Sequence, residues 1–261
     1  MSIAFTPELL LAVAAVAAVA GAVNGVAGFG FAVVGTMALA TMVDPAAAVV
    51  FMILPIFAVN LSLVGELSGK QLRTCGRRFG PLLGAALLGT IAGLILLERL
   101  PEAPLRVGLG LVSLGFVATA QRRITIPGLG RVRDGCFVET PAAMAGVGGV
   151  SGVLFGATNV GVQLVAYVRS CDLSHGLFVG VVAMVFLGLN GVRVAAAGAL
   201  GLYPDLAFVA GSIGAVVPAV AGVRIGAGFR DRVSEARRRG IVLGLLAVIG
   251  VRLVFDGFAA I

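Results

Sequence analysis

The chain has 261 residues, of which 59% are hydrophobic and only 12% are charged, and its mean hydropathy is +1.11. This composition excludes an ordinary soluble domain and is typical of a protein that crosses a membrane many times. The formal net charge of +7 would suggest nucleic-acid binding in a soluble protein. Here the basic residues lie between apolar blocks, where they orient a membrane protein, so we expect no nucleic-acid partner.

Eight apolar blocks follow one another along the chain, and most have about the length of 20 residues that a helix needs to cross the hydrocarbon core. They lie at residues 7–43, 45–65, 79–97, 103–120, 137–171, 175–198, 205–226 and 240–259. The first and the fifth block are about twice as long as one crossing. No positive residue precedes the first block, and it continues past Ala40, so we expect it to be retained rather than removed as a signal peptide.

The blocks form two sets of four, separated by the basic linker QRRITIPGLGRVRDG. This division predicts a first transmembrane repeat at 1–120, a cytoplasmic linker at 121–135 and a second transmembrane repeat at 136–261. The repeats also match in sequence, because SGVLFGATNVGVQLVAYVRSCD lies over NGVAGFGFAVVGTMALATMVD with one extra residue, which pairs Gly156 with Gly28. Similar block lengths and similar sequence together indicate a duplicated unit.

The charges between the blocks predict how the two copies are oriented. If each long block enters the membrane and returns on the same side, fifteen basic residues face the cytoplasm and four face outward. If each long block crosses once, the split is about ten to nine. The positive-inside tendency therefore favours a returning hairpin in each copy.

A hairpin and three crossings in each copy place the second copy upside down relative to the first. The predicted fold is an all-α polytopic membrane protein of two inverted repeats. Each repeat is a broken or re-entrant helical hairpin plus three transmembrane helices, which gives 8 to 10 helical segments. Both termini are expected outside, and Cys75, Cys136 and Cys171 at the cytoplasmic side as reduced thiols. Inverted repeats with broken helices are a transporter architecture whose site lies near the bilayer midplane.

The stretch GAVNGVAGFGFAVVG, at residues 21–35, places helix-breaking glycines at membrane depth. Non-helical backbone there is tolerated only inside protein or beside a wet cavity. Close helix packing explains any one of these glycines, but the polar residues nearby favour a site. Half-helix N-termini present free N–H groups that attract an anion, so two facing ends would form a small anion site without a fixed cation.

The polar residues of these segments have alternative explanations. Amides and hydroxyls could simply join helices by hydrogen bonds. Arg193, three residues after Asn190 on one helical face, is either a residue that snorkels to the membrane surface or a clamp on the substrate. Arg252 and Asp256 are spaced to pair. No carboxylate lies in the middle of a block and the chain has one histidine, so we expect no metal, no cofactor and no enzyme activity.

The order of NGVAGFGFAVVG, SGVLFGATNVGVQL and GFRDRVSEARRRGIVLGLLAVIG resembles the sulfite exporter TauE/SafE family of membrane transporters over essentially the whole chain. The resemblance implies a bacterial-type plasma-membrane transporter for small sulfur-containing anions: sulfite, thiosulfate or short organosulfonates such as sulfoacetate. Many members have consecutive glycines where this chain has GFGF at 28–31 and GATN at 156–159. This difference leaves the substrate open.

The predicted substrate-binding residues come from the two hairpins and from the crossing that follows each of them. They are Asn24, Gly25, Gly28, Phe29, Gly30, Asn60, Ser151, Gly152, Phe155, Gly156, Thr158, Asn159, Gln163, Asn190 and Arg193. We expect alternating access by movement of one repeat against the other. An anion channel, or a carrier of another small carboxylate or oxyanion, is the alternative, and homo-oligomerisation is left open.

Overall fold

A computed structural model describes residues 6–27, 30–64, 73, 77–120, 140–169, 175–229, 232 and 234–259, and all regular structure within these ranges is helical. The helices are α1 (Pro7–Ala27), α2 (Phe31–Leu39), α3 (Pro45–Phe51), α4 (Ile53–Val64), α5 (Gly80–Arg99), α6 (Glu102–Ala120), α7 (Pro141–Thr158), α8 (Val162–Arg169), α9 (His175–Ala199), α10 (Leu206–Gly214), α11 (Val216–Phe229) and α12 (Glu235–Ala259). This architecture confirms the predicted all-α fold class. The linker at 121–135 and the three cysteines lie outside the described residues.

Several of these helical stretches are long and apolar enough to cross a membrane. Among the described residues they are Pro7–Val26, Pro45–Ser62, Gly80–Arg99, Pro141–Thr158 and Leu206–Phe229. The helices follow the apolar blocks closely, and the largest difference is at α12, which begins before the predicted start at residue 240. The preceding sequence EARRRG consists largely of good helix formers, which extend a helix without needing hydrocarbon around them.

Two crossings are interrupted by one non-helical residue each, Met52 between α3 and α4 and Ala215 between α10 and α11. A proline follows three residues after each interruption, and proline has no N–H for the carbonyl one turn earlier. For Pro55 that carbonyl belongs to Phe51, and it accepts a hydrogen bond from the Ser212 hydroxyl at 2.5 Å instead. This hydrogen bond joins α3, which ends at the interruption at Met52, to α10, which ends at the interruption at Ala215, and so connects the two halves of the chain.

α1 and α11 are in backbone-to-backbone contact through glycines. A methyl group at Gly21 or Gly25 would collide with the carbonyl oxygens of Ala219 or Val223. In return, Gly222 and Gly226 of α11 lie against the carbonyl oxygens of Ala18 and Ala22. Contacts that advance together along both helices mean that α1 and α11 run parallel.

α5 and α7 repeat this arrangement. Gly152 and Gly156 lie against the carbonyl oxygens of Ala86 and Thr90, while Gly93 lies against that of Val153. These helices also run parallel, and each of the two parallel pairs joins the first half of the chain to the second. Gly25 in α1 and Gly156 in α7 are each the last of the contacting glycines before the helix ends, whereas Gly28, which the sequence pairs with Gly156, lies outside the described residues. Small residues spaced three or four apart allow more than one register between the halves.

A third pair, α6 and α12, runs antiparallel. The Ser113 hydroxyl donates to the carbonyl of Leu246 at 2.9 Å, and Gly110 lies against Val254. Later residues of α12 therefore meet earlier residues of α6. This pair also unites the two halves of the chain, because α6 precedes the linker and α12 is the last helix.

The buried side chains form two clusters. The larger cluster is built mainly from α1–α4, α6 and α10–α12, with Phe51 and Met37 among its fully buried members. The smaller cluster is built from α5 and α7–α9 around Phe155 and Leu189. The two clusters meet just after α7, where Val160 belongs to the larger cluster while Phe155 before it and Leu164 after it belong to the smaller one.

Candidate functional site

The first break, between α1 and α2, reverses the chain. α2 begins after Gly30, whose φ of 107° favours glycine. Gly35 of α2 packs beside Ala20 of α1, so α2 runs back along α1. The Asn24 side chain closes the break, because its Oδ1 accepts a hydrogen bond from the N–H of Phe31 at 3.3 Å. Gly28 and Phe29 of the predicted site lie outside the described residues.

The second break, at residues 159–161, centres on Asn159. Asn159 has φ 60° and ψ 9°, a left-handed conformation that asparagine tolerates better than most residues, and it ends α7. Its Nδ2 donates to the Thr36 hydroxyl at 2.7 Å and to the carbonyl of Val49 at 3.0 Å. Asn159 therefore fixes the end of α7 to α2 and α3 of the first half.

Thr158 supports the same break from within α7. Its hydroxyl donates to the carbonyl of Leu154 at 2.6 Å and accepts from the N–H of Val160 at 3.2 Å. The Thr158 side chain thus binds the N–H of Val160 just after the helix end. Gln163 lies in α8, and its side chain lies outside the described part of the chain.

Arg193 of α9 is enclosed beside the second break. Its side chain is 0% exposed, its Nη2 donates to the carbonyl of Gly156 at 3.3 Å, and its guanidinium lies 4.9 Å from the centre of the Phe155 ring. The interpretation of Arg193 as a snorkelling residue is therefore wrong, because α7 holds the guanidinium inside the protein. A site beside the second break would therefore include a fixed cation, unlike the site that two facing helix ends alone would form.

The charge of Arg193 is incompletely paired. Its Nε and Nη1 are buried without a hydrogen-bond partner, and among the described side chains it is the only charged one that is buried. Arg252, in contrast, is 61% exposed and forms the predicted ion pair with Asp256 at 3.5 Å. An uncompensated buried charge costs several kcal/mol, so the surroundings of Arg193 favour a negative group.

The two asparagines on the crossings after the hairpins behave alike within their helices. Asn60 donates to the carbonyl of Ile56 at 2.9 Å, and Asn190 donates to that of Phe186 at 2.8 Å. They differ in burial: Asn60 is partly exposed, whereas Asn190 is fully buried and its Oδ1 has no partner. Asn190 lies one turn from Arg193, and Phe186 packs against Phe155 with ring centres 5.3 Å apart.

The structure divides the predicted site residues by role. Gly25, Gly152 and Gly156 pack against the backbone of a neighbouring helix, which the sequence analysis gives as the alternative to a role in a site. Ser151 is buried in α7, and Asn24 closes the first break instead of lying beside the second. The predicted residues that meet around the second break are Phe155, Gly156, Thr158, Asn159, Asn190 and Arg193.

Two residues at this place are absent from the sequence-based set. Thr36 is fully buried and its hydroxyl accepts a hydrogen bond from Asn159. In the sequence it is a hydroxyl in the middle of an apolar block. This signal is ambiguous, because a threonine hydroxyl also forms hydrogen bonds within its own helix. Tyr203 lies close enough to the charge of Arg193 to interact with it electrostatically, and its hydroxyl is buried without a partner. Tyr203 follows the end of α9, where no sequence pattern connects it to Arg193.

The helix N-termini of the breaks are more occupied than predicted. The N–H of Phe31, at the start of α2, is bound by Asn24, and the N–H of Leu164, in the first turn of α8, bonds to the carbonyl of Gly161 at 3.1 Å. These two N–H groups are therefore not free to bind an anion, whereas Nε and Nη1 of Arg193 have no partner.

Comparison with known proteins gives one positive finding. A family model described as "Sulfite exporter TauE/SafE" matches residues 13–253, which extend from within α1 to within α12. No curated protein and no solved structure gives a significant match.

Proposed function

Because the chain belongs to the TauE/SafE family of sulfite exporters, we propose that it carries a small sulfur-containing anion across the plasma membrane. The family transports sulfur anions such as sulfite, which agrees with a multi-pass membrane protein that is not an enzyme. Sulfite, thiosulfate and a short organosulfonate such as sulfoacetate are the candidate substrates.

Arg193 is the observation that carries this proposal. A guanidinium with two unpaired nitrogens is enclosed between α7 and α9 at a break in the helix, where backbone geometry is irregular. Arginine matches the planar oxygen edges of oxyanions, and charged residues inside membrane proteins mark ion pathways. We assign the anion to this site, with Asn159, Asn190 and Thr158 lining it and Asn24 positioning α2 opposite.

The helix directions support inverted repeats. Only two residues join α5 to α6, and five join α11 to α12. Five residues reach about 17 Å, less than the roughly 30 Å of hydrocarbon, so each later helix starts on the side where the earlier one ends. With α1 parallel to α11, α6 antiparallel to α12 and α5 parallel to α7, the C-terminal ends of α1 and α7 point to opposite sides.

These directions agree with the orientation that the basic residues favour. In that orientation α1 enters from outside and α7 from the cytoplasm, and both chain termini are outside. The glycine-rich helix of each copy then runs toward the middle of the membrane from its own side, which brings the two breaks to similar depth.

The two side-chain clusters suggest which parts move. Both parallel pairs combine a helix from each half, so rigid movement of one sequence repeat against the other would pull the glycine contacts apart. We propose instead that the smaller cluster around α7–α9 moves against the larger cluster. The second break lies where these clusters meet, which would expose the site to one side at a time.

Flux into proteoliposomes tests the function. The purified protein is reconstituted, and uptake of radiolabelled sulfite, thiosulfate and sulfoacetate is measured, with sulfate and acetate as comparison anions. We expect saturable uptake of at least one sulfur anion and stimulation by the same anion preloaded inside. Uptake that does not saturate and shows no counterflow would identify a channel. Absence of uptake and of thermal stabilisation by every sulfur anion would reject the proposal.

A further inference from the structure

We propose that the site around Arg193 takes a monovalent oxyanion that itself carries a hydrogen-bond donor, with hydrogensulfite as the sulfur member of this class. The inference rests on the proposed function and specifies the charge and protonation state of the substrate at that site. It follows from which buried atoms near Arg193 lack partners.

The charge argument selects a monovalent ion. Among the described side chains, Arg193 is the only buried charge, and it faces the site with one positive charge. A monovalent anion makes the pair neutral. A dianion such as sulfite or sulfate would leave one negative charge uncompensated in a region of low dielectric, which is costly.

The acceptor argument selects an ion with an O–H group. The Oδ1 atoms of Asn159 and Asn190 are buried without partners. Their amides cannot be turned around, because each Nδ2 binds a backbone carbonyl, that of Val49 or of Phe186, which accepts only. Leaving such a buried acceptor unpaired costs about 1–3 kcal/mol. An anion with only acceptor oxygens satisfies Arg193 but repels both amide oxygens, whereas a proton on the anion can bond to one of them.

The donors of the site complete the match. Nε and Nη1 of Arg193 are buried and unpaired, and both can donate to the remaining oxygens of the ion. The site therefore offers donors and acceptors together, as a protonated oxyanion requires. Bare amide acceptors would be out of place in a site for a fully deprotonated ion.

The titratable groups near Arg193 leave the substrate as the source of pH dependence around neutrality. α9 packs on α4, α5 and α8 and reaches α7 through Arg193. α4 and α7 contain no charged residues, and Glu98 and Arg99 of α5 are exposed at its end. α8 contains Tyr167, a tyrosine like Tyr203, and Arg169, whose side chain lies outside the described part of the chain. Tyr203 titrates far above neutrality in ordinary surroundings. His175 is eighteen residues away along α9, which is about 27 Å at 1.5 Å per residue.

The first experiment compares protonation states of one substrate. Initial rates of sulfite uptake into proteoliposomes are measured at several pH values around neutrality, where hydrogensulfite and sulfite interconvert, and uptake by empty vesicles is subtracted to remove passive entry of sulfur dioxide. We expect the saturation curves to superimpose when plotted against hydrogensulfite concentration. Superposition against the dianion concentration would overturn the inference and leave the proposed function intact. No uptake of any sulfur anion would overturn both.

The second experiment tests whether the O–H group of the substrate contributes to binding. Methanesulfonate is monovalent at every pH used but has no O–H group, and we expect its apparent Kd, from competition with hydrogensulfite, to be at least about tenfold weaker. Asn190→Leu removes one unpaired acceptor, so the ratio of the two Kd values should fall several-fold. A purely structural role for Asn190 would weaken both anions equally. An unchanged ratio in Asn190→Leu together with equal wild-type affinities would overturn the inference.

Discussion

The two helix breaks begin from similar sequence and reach different chemistry. At the first break Asn24 satisfies an N–H of its own hairpin, and the polar groups are paired locally. At the second break Asn159 turns to the other half of the chain, where it binds Thr36 and Val49, and Arg193 supplies a buried charge. Similar sequence therefore closes the first break locally and joins the second break to the other half of the chain.

This difference shows that similar sequence in the two halves does not place the same polar groups at both breaks. The glycine contacts between helices are alike in the α1–α11 and α5–α7 pairs. The site residues are not, because Arg193 has no arginine or lysine at the corresponding place in α4, whose sequence is ILPIFAVNLSLV. Four groups of substitutions test how far the two breaks differ.

Replacing Arg193 by methionine should have the largest effect. The apolar stem is kept and the charge is lost, so we expect anion affinity and flux to fall about 30- to 4000-fold, as for the loss of a buried charge partner worth about 2–5 kcal/mol. Arg252→Met, at a 61% exposed site, is the matched control and should change flux little.

Folding and binding are separable in this variant. Removing an unpaired buried charge should leave the thermal transition of the purified Arg193→Met protein unchanged or raise it. A lowered transition with unchanged flux per folded protein would mean that Arg193 serves the structure, and the two breaks would then be equivalent.

Alanine at the packing glycines should test what the two halves share. We expect Gly25→Ala in α1 and Gly152→Ala in α7 to destabilise the protein similarly, by about 1–3 kcal/mol, because each methyl group would meet a carbonyl oxygen. Gly149→Ala is the control, since its methyl group would meet nothing within 4 Å. Unfolding in detergent measures the difference, and equal stability of all three variants would contradict the packing.

Two substitutions of Asn159 should separate its backbone and side-chain roles. Asn159→Ala places a methyl group at φ 60° and removes the bonds to Thr36 and Val49, so we expect a loss of about 2–3 kcal/mol. Asn159→Gly removes the same bonds without the conformational strain and should cost about 1–2 kcal/mol less than alanine. If alanine and glycine are equally tolerated, the left-handed conformation is not required.

Asn24→Ala should have the smallest effect. It removes one hydrogen bond to the N–H of Phe31, and the loss of such a cap costs about 1 kcal/mol. We expect a small decrease in thermal stability and a smaller loss of flux than in Asn159→Ala. A larger loss of flux than in Asn159→Ala would place the anion at the first break.

The sequence predicts the apolar blocks and both hairpin breaks, but it does not predict the interruptions of two crossings at Met52 and Ala215. Long apolar blocks, glycines and Asn159 within GATN are local signals, and a helix or a break follows from them directly. The alignment of the two halves cannot be read from the sequence alone, because Gly25 and Gly28 match Gly156 equally well when the packing of the helices is unknown.

The burial of Arg193 could not be predicted for a related reason. An arginine near the end of an apolar block snorkels when lipid surrounds it and is buried when a neighbouring helix covers it. Its cover is α7, which the sequence does not connect to α9 at that position. Tyr203 and Thr36 were missed because their roles depend on the same tertiary contacts.

The contact between α1 and α11 also constrains how the protein is made. α1 is synthesised first, but the helix that covers its glycine face begins at Val216. During translation that face must remain against lipid, or against an insertion factor, until most of the chain has entered the membrane. A chain that stops before Val216 would leave the glycine face of α1 uncovered, so α1 can reach its final packing only after α11 has been synthesised.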